Sequence, residues 1–134
     1  MKKQVRRGIF ETNSSSVHSL VMCMESDYDK WDKGETLLFT GSAWGYPENN
    51  RPLRNHFYTK EEAIAFEKSS KYPPDEDFDW NDDENVMEML HENEWRSSED
   101  FWDDRYGEFE HFKDTMTTPN GDTVVAFGYY GYDA

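Results

Sequence analysis

The chain has 134 residues, 35% of them apolar, and its 29 acids against 14 bases give a formal charge of −15. That length predicts one ordinary domain, and the lone cysteine, Cys23, excludes an intrachain disulfide framework and fits a reducing cytoplasm. The charge repels phosphate backbones and anionic headgroups alike, which argues against direct binding to nucleic acid or a membrane, and no apolar run has the length of a signal-peptide core or a bilayer span.

The apolar run VHSLVMCM at residues 17–24 follows a polar turn and predicts a first strand. Ser26 is placed to cap a short helix through Trp31 that Gly34 stops, and ETLLFT at residues 35–40 predicts a second strand. Residues 41–55, rich in Gly, Pro and Asn, predict a long surface loop. Thr59-Lys60-Glu61-Glu62 is a capping box. The helix it opens buries Ala63 and Phe66, with Ile64 at the margin, and ends before Tyr72-Pro73-Pro74. Asn81-Asp82-Asp83-Glu84 opens a further helix to about Glu94, with Val86, Met89 and Leu90 as its apolar stripe. Ser98 is placed to cap a shorter helix burying some combination of Phe101, Trp102 and Tyr106. Residues 109–118 and 122–130 flank Thr118-Pro119-Asn120-Gly121, a hairpin signal. The expected architecture is α+β: an antiparallel sheet of about four strands with about three helices packed on one side, in a single domain over residues 1–134.

The charge imbalance is concentrated in residues 75–110, which hold 16 of the 29 acids and two bases, Arg96 and Arg105. Phe78, Trp80, Trp95, Phe101, Trp102, Tyr106 and Phe109 lie among those acids, whereas a solvated acidic tail lacks such rings. The stretch is therefore expected to fold, as an acidic helical segment that fixes its carboxylates in space. Glu84, Glu88 and Glu92 fall at i, i+4 spacing, about 6 Å apart along a helix axis. Like charges so placed oppose one another by about 0.2–0.5 kcal/mol per pair, so the row does nothing for the helix itself. With Asp75, Glu76, Asp77 and Asp79 before it and Glu99, Asp100, Asp103 and Asp104 after it, the array resembles a run of backbone phosphates. The bland alternative is a solubilising face with no partner.

Two metal readings stand beside this. Residues 77–88 place oxygen donors, among them Asp77, Asp79, Asn81 and Glu88, as a calcium-binding EF-hand loop would. Asp82 occupies the position of the sharp-turn glycine, Pro73-Pro74 block an incoming helix, and the capping signal at Asn81 starts a helix within the loop. The other candidates are Glu11 and His18, in the turn ETNSSSVH. Its small hydroxyl side chains favour a tight turn fixing the entry of the first strand, and a polar or catalytic site using Glu11 and His18 is the sharper alternative. Strand alternation separates His18 from Cys23, and no C-x-x-C, H-x-x-x-H, H-E-x-x-H or G-x-S-x-G occurs, so zinc would need distant ligands. Lys2, Lys3, Arg6 and Arg7 form a basic head expected to pair with the chain's own acids. Trp44 and Tyr46 in the Gly-Pro loop are placed either as an exposed anchor for a partner or as a lid on the core.

The string RRGIFETNSSSVHSL resembles the opening of small proteins from phages and mobile elements of Gram-positive bacteria, and VVAFGYYGYD is similar to their endings. The resemblance covers the two ends of the chain and leaves out the acidic middle. It implies a phage setting, in which small acidic proteins often serve as anti-defence factors, including anti-CRISPR proteins that occupy basic surfaces of Cas9. The combined expectation is a non-enzymatic inhibitor in the cytoplasm of a bacterial host. It would bind a basic, nucleic-acid-handling protein such as a Cas9-type nuclease through Asp75, Asp77, Asp79, Glu84, Glu88, Glu92, Asp103 and Asp104, and so block nucleic-acid binding. A small metal-binding (Zn or Ca) phage protein and an enzyme using the Glu11–His18 turn are the alternatives.

Overall fold

The computed structural model describes residues 17–103 and 110–130. The chain is α+β, in the order β1 (Val17–Met24), α1 (Glu25–Asp32), β2 (Leu37–Phe39), β3 (His56–Tyr58), α2 (Lys60–Lys68), α3 (Asp83–Glu92), β4 (Trp95–Arg96), α4 (Ser98–Asp103), β5 (Glu110–Thr117) and β6 (Thr123–Tyr130). The strands form two three-stranded antiparallel sheets, β1-β6-β5 and β3-β2-β4, where the sequence pattern suggested one sheet. The short strands β3 and β4 account for the difference. At three and two residues, they are too brief for an alternating pattern to show. The chain divides into two compact units, the first holding β1, β5 and β6 and the second spanning Lys30–Phe101.

In the first unit β6 is the central strand, and Val21 and Lys113 both face Phe127 across it. Val21, Val125 and Phe127 are buried on one face, where Tyr28 of α1 meets Phe127 edge-on at 5.3 Å. The Lys113 ammonium sits 4.2 Å over the Tyr28 ring. On the opposite face Met22, Met24 and Met116 are exposed. The hairpin falls where Pro119-Asn120-Gly121 placed it: Thr118 N donates to Asp122 O at 2.8 Å, and Gly121 takes a φ of 88°, open to glycine at no steric cost. The pairing of β1 slips between Val17 and Ser19, leaving His18 as the extra residue of a bulge.

In the second unit β2 is buried along its whole length, because both faces of its sheet are covered. Leu37 and Phe39 share one face with Tyr58 and Trp95, and a core of Ala63 from α2 and Val86 and Leu90 from α3 packs there. Leu38, Phe57 and Arg96 share the other face. Trp31 lies against it, 5.6 Å from Phe57 and 5.4 Å from Phe101, and its indole donates to Arg96 O at 3.0 Å. Burying a side chain such as Leu90 contributes about 1.5–3 kcal/mol.

The capping box of α2 forms as the sequence predicts, with Glu62 N donating to Thr59 Oγ1 at 3.1 Å and Thr59 N to Glu62 Oε1 at 2.8 Å. The start of α3 is set by Asp82, which accepts from Asn85 N at 3.2 Å, so Asn81 stays outside the helix. At α4 Ser97, not Ser98, accepts from the backbone of Asp100. No helix among the described residues is long and apolar enough to cross a membrane.

Candidate partner-binding surface

Helix α3 turns Val86 and Leu90 into the core, which fixes Glu84, Glu88 and Glu92 on its exposed side. The structure sorts the acids of this stretch into those already engaged and those left open. Asp82 caps α3, Asp83 pairs with Lys60, Asp79 Oδ1 accepts from Asn81 N at 2.9 Å, and Asp100 lies 3.3 Å from His91 Nδ1. Glu94 pairs with Arg96 at 3.2 Å. Arg96 is itself buried and also donates to His91 O in the last turn of α3, satisfying one of the carbonyls a helix leaves open. Among the described residues Asp75, Asp77, Glu84, Glu88 and Glu92 have no ion-pair partner and are exposed. The one described base of the acidic stretch is thus spent internally.

Asp75, Glu88 and Glu92 come together along a hollow of about 490 Å³ that Phe78 and Met89 also line. Glu84 lies in the first turn of α3, and Asp77 and Asp79 lie in the turn before it. Asp103 ends α4 and falls in the other unit, and Asp104 lies outside the described residues.

A second hollow, of about 260 Å³, adjoins the first and shares Tyr72, Glu92 and Asn93 with it. One wall is the turn Ala43–Gly45, where the two aromatics of the Gly-Pro loop part company. Tyr46 is buried, whereas Trp44 is 74% exposed and stacks on Tyr72, itself 67% exposed, at 5.5 Å and 17°. Ser42 Oγ accepts from Trp44 N, and Lys71 N donates to Gly45 O at 2.8 Å, which holds the two rings side by side. Gly41, which also lines this hollow, is needed because a Cβ there would lie 2.9 Å from Glu94 Cβ.

Beneath this wall sits Glu67, buried on α2, a residue the sequence reading passed over. Its carboxylate accepts from Trp95 Nε1 at 2.9 Å, from Asn93 Nδ2 at 2.8 Å and from the Tyr46 hydroxyl. Burial, and the hydrogen bond and charge of Glu67, push the Tyr46 hydroxyl well above the usual tyrosine range. The network ties the Trp44 turn, α2 and β4 together, so the groove has a rigid base. The available signal was position: Glu67 falls four residues after Ala63, on the apolar stripe of α2.

Neither metal reading gains a ligand set. Among the described residues no group of three or more His, Cys, Asp or Glu is placed to hold an ion. Within residues 77–88 the Asp82 cap starts α3 and draws the chain into a helix where a calcium loop would have to coil. Glu11 lies outside the described residues, as do Tyr106, Phe109, Arg105 and the basic head, and of His18 only the backbone is described. Burial, then the charge of Asp27, push the Cys23 thiol up to about 11, with Lys113 opposing.

No protein family, curated protein or solved structure matches the chain.

Proposed function

We propose that this protein is a binding inhibitor whose acidic face occupies the nucleic-acid-binding groove of a basic protein. The observation that carries the reading is the row Glu84, Glu88 and Glu92, exposed and without ion-pair partners among the described residues, on a helix whose other side is locked into the core. Carboxylates held in fixed positions present a basic groove with the attraction phosphates offer, and need no chemistry of their own. In its specific form the protein is phage-encoded and anti-CRISPR-like, acting in the cytoplasm of a bacterial host on a Cas9-type nuclease. That setting is supported by the likeness of the two ends of the chain to phage and mobile-element proteins, and by nothing in the acidic middle.

The test is retention of basic nucleases or helicases from host lysate by immobilised protein, followed by displacement of their nucleic acid, across a salt series. Binding should weaken steeply as salt rises and be lost in E84Q/E88Q/E92Q. If no nucleic-acid-handling protein is retained at low salt, or the triple variant binds as the parent does, the reading fails.

A further inference from the structure

Two exposed rings stacked on each other, beside a neighbour that fills the core, are not explained by folding. Tyr46 supplies the core contact of its loop, meeting Phe39 edge-on at 5.8 Å, and Trp44 contributes little to it. Both rings instead line the second hollow, Tyr72 lines the first as well, and among the described residues every charged side chain lining either hollow is an acid: Asp75, Glu67, Glu88, Glu92 and Glu94. The rings touch in an offset stack with no room for a third plane between them, so a guest would lie on an outward ring face with carboxylates at its rim.

A phosphate-bearing guest is repelled by that lining. An alkylammonium would be attracted, but it is a compact, strongly hydrated charge with no flat face to lay on an indole. A guanidinium is planar, weakly hydrated and carries donors around its edge, so it can stack on Trp44 or Tyr72 while its edge reaches a carboxylate.

We propose that the hollow walled by Trp44 and Tyr72 is an arginine subsite, which takes one arginine side chain of an extended basic segment of the protein partner. It rests on the acidic-face reading above and adds to it a residue preference, which general charge attraction does not supply. Trp44 is the aromatic anchor, Glu92, common to both hollows, is the carboxylate at its rim, and the Glu67 network holds the wall in place.

The experiment uses the full chain and arginine and lysine peptides of equal length and charge, titrated at low salt by tryptophan fluorescence and calorimetry. The arginine peptide should bind about two- to fivefold more tightly than the lysine peptide, the difference expected of an exposed stacked cation. Trp44→Ala and Tyr72→Ala, both at exposed positions and checked for folding by circular dichroism, should each bring the two peptides to the same affinity while leaving salt-dependent binding in place. A preference that survives both substitutions, or a single-stranded oligonucleotide that quenches the fluorescence as the arginine peptide does, overturns the subsite. Equal and salt-sensitive binding of both peptides also overturns it and leaves the acidic face standing. Binding of neither peptide overturns both.

Discussion

Glu67 on α2 accepts a hydrogen bond from the Trp95 indole on β4 at 2.9 Å, across 28 residues of chain, and both side chains are buried. A carboxylate costs several kcal/mol to bury, and it is tolerated here because Trp95, Asn93 and Tyr46 converge on it as donors. The bond is therefore a joint between α2, which lines the second hollow through Glu67, and β4.

Glu67→Ala should destabilise the protein by about 2–4 kcal/mol, because it leaves the Trp95 and Tyr46 donors buried without their acceptor. Glu67→Gln should also be destabilising, since its amide turns donors toward donors. Urea denaturation measures both, and a loss below about 1 kcal/mol for Glu67→Ala would show that the joint is dispensable.

Tyr46 gives the fold an alkaline limit. Its hydroxyl holds its proton more firmly folded than unfolded, so its contribution is complete below the ordinary tyrosine value of about 10 and is lost as pH rises beyond it. Tyrosinate absorbance followed through an alkaline titration should include a late step, that of Tyr46, which ionises together with unfolding. Tyr46→Phe should delete that step and leave the remaining tyrosines titrating as before.

Cys23 should be a slow thiol. With its pKa moved from an ordinary 9.0 to about 11, its thiolate fraction at pH 8 falls about a hundredfold below that of a free cysteine. Alkylation rates in native buffer and in urea measure the difference. Native and unfolded rates that agree within a factor of about two would contradict the burial that sets it.

Replacing Glu84, Glu88 and Glu92 with Gln should change stability by less than about 1 kcal/mol. Two repulsive i, i+4 pairs disappear, Glu92 no longer opposes the helix dipole at the C-terminus, and Glu84 no longer complements it at the N-terminus. Thermal melts test this directly. A large loss of stability would mean that the row serves the fold, and the binding defect of the triple variant would then say nothing about a surface.

Local chemistry made much of this protein legible in its sequence. The capping box at Thr59, the stop after α1 at Gly34 and the Pro119-Asn120-Gly121 hairpin use bonds between residues a few positions apart, so the pattern and the geometry coincide. The concentration of acids in residues 75–110, and the apolar stripe that orients α3, are likewise properties of the chain read by itself. Long-range pairing was not legible. Strands β3 and β4 exist because β2 lies between them, and their place in a second sheet follows from pairings between separate parts of the chain, Phe39 with His56 on one side and Phe39 with Trp95 on the other. The same holds for burial. Glu67 shares the stripe of Ala63 on α2, but the donors that make a carboxylate tolerable there come from elsewhere in the chain, and nothing local distinguishes Trp44 from Tyr46 until the core that accepts one ring is brought in. The sequence by itself determined how much negative charge the protein carries and on which helix. Tertiary contacts decided which carboxylates are consumed inside the fold, which stay open, and that two aromatic rings stand beside them.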